Sequence, residues 1–516
     1  MTATSVPLRE HGHAFSRAGE RIGYALDGHF WRYAAGFLLL FLVCSIAEDL
    51  RLKMWNDELV TLYVAQQGSP REIIQATQEG MDATPPLYPI MVSAILPTVR
   101  PEALAVRLPA TLGFTAMLLC ILAFCRRRMP AVYAFIAASV AATICAFYAT
   151  EGRCYGLVLG CAGGALLTWQ SAIEDKRRVL WLSLLALCLT LATALHYYSI
   201  FLLIPLSLAE FVRWRRRRQP DFAVFAAMLP ALAVLALHYP LIAVGRRYLS
   251  HFWAPGIATW RQLPDFYLQF ALIPAAVVLV GLIARAIPRD QPRDRSAGTP
   301  VLPAQEWVAI GALALMPIVV IALSRYTTHV FLARYTLWAV IGLAVVSASL
   351  LCVTAGRQPL IGATVLAVML GTVVTQQVLR LHQPPVLRQG EAIRRALQSV
   401  PDGPEPILIA YNHAFMELSS YAEPRVRQRL YYAQSRSLEL RYRGSDLDYL
   451  LLSARRQRTK LHIVELDNFL EANPKFVLAA RAEDYLPQYL AAAGYRLLPL
   501  SPRTALGLYE VEAPQS

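Results

Sequence analysis

The chain has 516 residues, of which 56% are hydrophobic and 16% charged, and its mean hydropathy is +0.41. Soluble domains carry about 25% charged residues, and the apolar residues here come in runs of about 20, the length that spans a bilayer as a helix, so an ordinary soluble protein is excluded. The net charge of +14 sits largely in short arginine clusters between the apolar runs ("CRRRM", "EDKRRV", "RWRRRRQ"), which is the pattern of loop charges that orient a membrane protein and not that of a nucleic-acid-binding surface.

Residues 1–32 are polar and basic and read as a cytoplasmic N-terminal segment. The first apolar run, "YAAGFLLLFLVCSIA", has a polar lead too long for a signal peptide, so it is expected to be a retained helix. Further spans are expected at 104–124, 131–149, 156–173, 179–196, 199–212, 221–243, 268–287, 306–323, 335–354 and 359–379, which with 33–48 makes eleven. Residues 33–379 thus form a polytopic α-helical membrane domain. Eight cysteines lie in or beside these runs without a CxxC pair and read as small core residues.

With the N-terminus in the cytoplasm, the basic loops at Arg126–Arg128, Lys176–Arg178, Arg213–Arg218, Arg289–Arg295 and Arg357 all fall on the cytoplasmic side. The opposite side receives 49–103, 150–155, 197–198, 244–267, 324–334 and the chain after about 380. This is the orientation of a multi-pass membrane protein. Arg246 and Arg247 lie on the outer side against the charge rule, which suggests a local use for positive charge.

Residues 380–516 change character. "EPILIAYN", "KLHIVEL" and "YRLLPL" are β-like, while "LRQGEAIRRALQSV" and "AEDYLPQYLAAAGY" have helical spacing, so a small periplasmic α/β domain is expected. The segment 288–304 is rich in proline and charge and reads as a loop.

The chemistry-bearing residues gather on the expected outer face. The first loop carries Lys53, Asp57 and Glu58 in "KMWNDEL", then "DATPPLYPIM" with Tyr88, where Pro85 and Pro86 break any helix before an interfacial segment. The third span ends in "FYATEGRCYGL", with Glu151, Arg153 and Tyr155. The fifth ends in "ALHYYSIF", with His196 and Tyr197; Tyr198 reads as an aromatic-belt residue. "TTHVFLARYTLW" adds His329, Arg334 and Tyr335. Each signal has a bland reading as a helix cap, a belt residue or a snorkelling arginine. Together they suit a substrate with an anionic, membrane-embedded end, because arginine clamps phosphate through paired hydrogen bonds and a carboxylate takes a proton from a hydroxyl.

This motif set resembles the GT-C superfamily, and more narrowly glycosyltransferase family 39 with its protein O-mannosyltransferases and the bacterial lipid A aminoarabinose transferases. The resemblance covers roughly residues 33–350 and implies transfer of a sugar from a polyprenyl-phosphate donor to an acceptor hydroxyl of a lipid, glycan or protein. Asp57 matches the family's first-loop catalytic acid, followed by Glu58; Glu151 and Arg153 match the second motif; Arg334 and Tyr335 match the late one. Thr84 stands where the family often has histidine, and Cys154 where it often has methionine or proline.

The implied chemistry is a single inverting displacement with Asp57 as base. Arg153 or Arg334 would hold the leaving phosphate, with Lys53, Arg246 and Arg247 as further cations and Tyr88, His196 and Tyr197 as lining. No cofactor is required; a divalent Mg or Mn ion on Asp57 and Glu151 is the one alternative. Two rival readings are a transporter or flippase for the lipid-linked sugar and an assembly protein whose loops do no chemistry. Transporters place ionisable groups near the midplane of repeated halves; here these groups cluster at one face and no repeat is seen, and His238, the lone inner-span candidate, reads as a core histidine.

Overall fold

The computed structural model describes residues 19–249, 260–286, 301–327, 329–355, 359–400, 403–500 and 506–514, without the side chains of 246–249, 359, 399 and 506. The chain divides into two compact units: 1–49, 107–238 and 256–383 form one, and 50–106, 239–255 and 384–516 the other.

The first unit is a helical membrane body. All eleven expected spans are helical, and their boundaries move by a few residues at most sites. Seven helices among the described residues are long and apolar enough to cross a membrane: Phe30–Arg51, Glu102–Arg126, Ala131–Ala149, Tyr155–Glu174, Arg178–Leu195, Ala304–Tyr326 and Leu360–His382. Two bent helix pairs raise the number to nine. One of them, Gln262–Phe270 with Leu272–Ala286, bends by 62°. Ala339–Thr354 is apolar but shorter, and Leu203–Arg217 ends in the arginine cluster.

Small residues let these helices touch backbone to backbone. A Cβ on Gly156 would lie 2.3 Å from the Ala110 carbonyl oxygen, and one on Gly160 would lie 2.5 Å from that of Gly113. Glu102–Arg126 and Tyr155–Glu174 therefore cross in direct contact, and this fixes where the short 150–154 connection stands.

One end of the body holds the basic clusters, and several of these are structural as well as orienting. The Arg128 Nε–H group donates to both carboxylate oxygens of Glu306 at 3.0 and 2.9 Å, and Glu306 is fully buried. Trp169 Nε1–H donates to Glu210 at 2.7 Å, and Arg213 bridges Glu210 and Asp221 at 2.8 and 2.9 Å. Buried carboxylates need such partners, since an unpaired charge in this setting is costly.

The second unit combines the first long loop with the C-terminal chain. Its six strands are β1 Ile407–Ile409, β2 Leu430–Gln434, β3 Ile463–Glu465, β4 Lys475–Arg481, β5 Arg496–Pro499 and β6 Leu506–Glu512. They form one sheet in the order β3-β2-β1-β4-β6-β5, with β1 to β4 parallel and β5 and β6 antiparallel. Helices cross over between the parallel strands, as parallel pairing requires. β1 is buried throughout, so its run "ILI" shows no alternation.

In the first loop, helices Asn56–Ala65, Pro70–Gln78 and Leu87–Ile95 pack together. Ser69 and Glu72 form a capping box at the second of these, and Pro70 is pre-set for its first turn. The loop is tied to the C-terminal chain. Helix Asn56–Ala65 packs on Asn412–Tyr421, the Arg455 Nε–H donates to the Met81 carbonyl at 3.2 Å, and Arg458 pairs with Glu79.

Candidate functional site

In the membrane body, the residues singled out by sequence meet at the end opposite the basic clusters. Helix Ala131–Cys145 tightens into a 3-10 turn, Ala146–Ala149, before the connection that carries Glu151 and Arg153. Both side chains are buried, at 3% and 8% exposure, and Arg153 N–H closes a tight turn on the Glu151 carbonyl at 2.7 Å. Tyr155 starts the next helix, fully packed.

His196 breaks helix Arg178–Leu195 by adopting an extended backbone, and Tyr197–Leu202 follows as a 3-10 turn. His329 ends helix Ala304–Tyr326 with φ of +56°, its N–H reaching back to the Ser324 carbonyl at 2.7 Å. That left-handed residue turns the chain so that 330–335 returns toward His196.

The rings then form a continuous cluster. His196 lies 5.7 Å from Tyr155, 5.8 Å from Tyr198 and 5.1 Å from Tyr335, centroid to centroid. Tyr198 and Tyr335 are 4.8 Å apart, and Tyr148 lies 5.7 Å from Tyr155. The Arg334 guanidinium stands 5.8 Å from the Tyr155 ring, a cation–π contact. Burial pushes the His196 imidazole down to about 3, and the positive charges of Arg334 and Arg153 push in the same direction. Two guanidinium groups thus stand beside a neutral histidine and a ring of tyrosines, a setting that favours an anion with an apolar or sugar-like neighbour.

Within the His-Tyr-Tyr stretch the structure chooses differently from the sequence expectation. Tyr198 joins the cluster and its hydroxyl donates to the Val330 carbonyl at 3.0 Å. Tyr197 turns away and packs edge-on against His238 at 5.8 Å. In a 3-10 turn neighbouring side chains diverge by about a third of a turn, so one of the two must leave. His238 caps its helix at a break between two helices and is not deep in the core.

The sequence reading missed a buried polar network beside this cluster. Arg107, 3% exposed, donates to the Asp49 carbonyl at 3.0 Å, and the Thr111 hydroxyl lies 2.8 Å from both the Asp49 carboxylate and the Ala149 carbonyl. Thr150 donates to Glu48 at 3.3 Å, and Arg380 pairs with Glu48 at 3.7 Å. The available signals were the acids closing the first apolar run and Arg107 inside the second. The network ties the first helix to the 149–150 turn and so supports Glu151 and Arg153 from behind.

The first-loop candidates lie in the second unit. Asp57 and Glu58 open helix Asn56–Ala65, and their tasks differ. Glu58 is 1% exposed, and its carboxylate accepts the Trp55 N–H at 3.2 Å, a helix-capping bond. Asp57 is half-buried and accepts from the Asn56 side-chain amide at 3.2 Å. Lys53 Nζ lies 5.6 Å from the Tyr421 ring centroid, and Arg388 covers Trp55 at 4.7 Å. Tyr88 is buried and its hydroxyl donates to the Val106 carbonyl at 2.8 Å, which gives it a packing task. Arg246 and Arg247 fall in helix Tyr239–Leu249, but their side chains lie outside the described residues. Among the described residues, no three His, Cys, Asp or Glu side chains gather where they could hold a metal ion.

No protein-family model matches the chain, and no curated protein sequence is similar to it. Among solved structures it is similar to ArnT from Cupriavidus metallidurans in the apo state, with 14% identity, a TM-score of 0.57, and coverage of 93% of this chain and 98% of that one. The same protein bound to undecaprenyl phosphate aligns at 12% identity with a TM-score of 0.41, over 92% and 98% of the two chains. The chain has an ArnT-like fold.

Proposed function

We propose that this protein is a membrane glycosyltransferase that moves a sugar from a polyprenyl-phosphate donor to an acceptor hydroxyl at the periplasmic face. The observation that carries the reading is the cluster of Arg153, Tyr155, His196, Tyr198, Arg334 and Tyr335 at one end of a helical membrane body. Sparse fixed cations among neutral rings suit a phosphate that enters from lipid, because preplaced positive charge in a dry site stabilises a leaving anion most strongly. The ArnT-like fold supports the same class of activity. The basic clusters at the opposite helix ends support an orientation with this site outside the cytoplasm.

In the proposed step the acceptor oxygen attacks the anomeric carbon from the face opposite the phosphate. The bond from that carbon to the phosphate oxygen breaks, its electron pair leaves with the polyprenyl phosphate, and Asp57 takes the acceptor's proton. The configuration inverts. Arg153 and Arg334 hold the phosphate charge, so the leaving group needs no general acid, and one carboxylate suffices where glycoside hydrolysis uses two. Glu151 orients Arg153 through the tight turn they share. Tyr155, Tyr198 and Tyr335 form the floor on which donor and arginine side chains lie, and neutral His196 offers a hydrogen bond without adding charge.

The test is turnover by the purified protein in lipid vesicles, with synthetic polyprenyl-phosphate sugars as donors and envelope fractions as acceptors. Asp57→Asn should abolish transfer while donor binding persists. Movement of the donor across the vesicle without transfer, unchanged by Asp57→Asn, would make the protein a transporter instead.

A further inference from the structure

The short connection that carries Glu151 and Arg153 is held at both ends by neighbouring residues of one helix. Helix Glu102–Arg126 meets its far end through the backbone: a Cβ on Gly156 would lie 2.3 Å from the Ala110 carbonyl oxygen, so the two main chains touch there. The near end is met one residue further along the same helix, where the Thr111 hydroxyl lies 2.8 Å from the Ala149 carbonyl. Ala149 closes the 3-10 turn Ala146–Ala149, and the last carbonyls of a helical segment need donors from outside it. Residues 150–155 lie between these two points, and Arg153 is among them.

Thr111 differs from other threonines of the membrane body. The hydroxyls of Thr115, Thr143, Thr168 and Thr193 bond carbonyls four residues back in their own helices at 2.8, 2.8, 2.7 and 2.9 Å, the ordinary arrangement for a threonine in a helix. For Thr111 the corresponding carbonyl, that of Arg107, is farther away at 3.2 Å. Its hydroxyl is shared instead between the Ala149 carbonyl and the Asp49 carboxylate, both at 2.8 Å, so one hydrogen serves two acceptors in a three-centre bond. Thr111, Asp49 and Ala149 are all fully buried, so this bond is made away from bulk water. Its surroundings are tied down as well: Arg107 donates to the Asp49 carbonyl at 3.0 Å, and Thr150, next to Ala149, donates to Glu48 at 3.3 Å.

We propose that Thr111 is a positioning residue for Arg153: its hydroxyl fixes the start of the connection, the Ala110–Gly156 contact fixes the end, and together they set where the guanidinium stands. The proposal rests on Arg153 as a holder of the donor phosphate. The Thr111 hydrogen is committed to protein acceptors, so its effect reaches the substrate through Arg153. A guanidinium holds phosphate through paired, directional hydrogen bonds, and a displaced anchor weakens them even though the charge is kept. Losing the Thr111 hydroxyl therefore weakens phosphate binding only while Arg153 is present to be misplaced.

The experiment measures the Kd of a short-chain polyprenyl phosphate for the purified full chain in lipid vesicles, with Tm recorded for each variant. Thr111→Val keeps the side-chain shape and removes the hydroxyl; it should weaken binding about fivefold, the worth of one hydrogen bond. Thr111→Ser should restore the wild-type Kd. Thr168→Val removes a buried hydroxyl that bonds its own helix and should leave Kd unchanged. In an Arg153→Ala background Thr111→Val should weaken binding no further, whereas a role in stability alone gives the same factor in both backgrounds. A folded Thr111→Val protein with wild-type Kd would overturn the proposal, as would a loss that persists without Arg153. If Thr111→Val does not fold, Thr111→Cys, whose thiol is a weak donor, replaces it under the same criteria. If Arg153→Ala itself binds like wild type, the assignment of the phosphate to Arg153 fails and the positioning role falls with it; if Arg153→Ala loses binding while Thr111→Val does not, only the positioning role fails.

Discussion

The backbone N–H of Met54 donates to the Tyr421 hydroxyl at 2.9 Å, joining residues 367 positions apart. The same ring lies beneath Lys53. A loop backbone hydrogen-bonded to a distant side chain is held in one conformation, and here it is the backbone that leads into Asp57. Tyr421→Phe keeps the ring and its cation–π face but removes the acceptor. The expected loss is about 1 kcal/mol, read as a lower Tm of the purified protein with faster hydrogen exchange at the Met54 amide. Unchanged exchange at that amide would show that the bond is not made in solution.

Tyr197 and Tyr198 provide a matched pair. Tyr198 stacks near Tyr335 and donates to Val330, whereas Tyr197 packs on His238. Tyr198→Phe should reduce transfer about fivefold, because a hydrogen bond that holds a site loop contributes about 1 kcal/mol and about 1.4 kcal/mol is a decade of rate. Tyr197→Phe should leave turnover near wild type. Equal effects from the two substitutions would mean that the ring cluster is not the donor site.

His196 sets a pH dependence whose sign follows from its surroundings. Burial and the Arg334 and Arg153 charges hold its folded value at about 3, below the ordinary value of 6.5. Between those values the unfolded chain binds a proton that the folded protein does not, so stability is full above about pH 6.5 and declines as pH falls toward 3. Tm should therefore drop between pH 7.5 and 4.5, and His196→Gln should show a smaller drop over the same interval. The same depression keeps the imidazole neutral near pH 7, so the activity profile should lack a histidine inflection from this residue. An equal Tm drop in both proteins would place His196 in a wetter setting than the ring cluster provides.

The helices were legible because apolar runs of membrane length leave little choice of structure. The cluster was legible where motif residues sit at helix ends, as with Arg153, Tyr155, His196, Arg334 and Tyr335. The choice between Tyr197 and Tyr198 was not, since it depends on a 3-10 turn whose phase no apolar period announces. Arg107 was hidden inside a run read as a span, and its partner Asp49 comes from 58 residues earlier. The packing of helix Asn56–Ala65 on Asn412–Tyr421 was also illegible. It joins segments from opposite ends of the chain through hydroxyl groups and rings that carry no local pattern.

Asp57 and Glu58 look alike in the sequence, and the structure separates them. Glu58 is buried and caps the Trp55 amide, whereas Asp57 is half-buried beside Asn56. Glu58→Gln keeps an oxygen acceptor for that amide and should retain most transfer. Glu58→Ala should cost about 1 kcal/mol, the usual loss for a helix-start cap, and lower Tm, with kcat falling only as far as the folded fraction falls. Asp57→Asn should do the reverse, leaving Tm nearly unchanged while turnover disappears. The check is a paired measurement of Tm and kcat for all three variants. If Glu58→Gln loses turnover at wild-type Tm, the proton acceptor is Glu58 and the assignment of the base moves one residue along the chain.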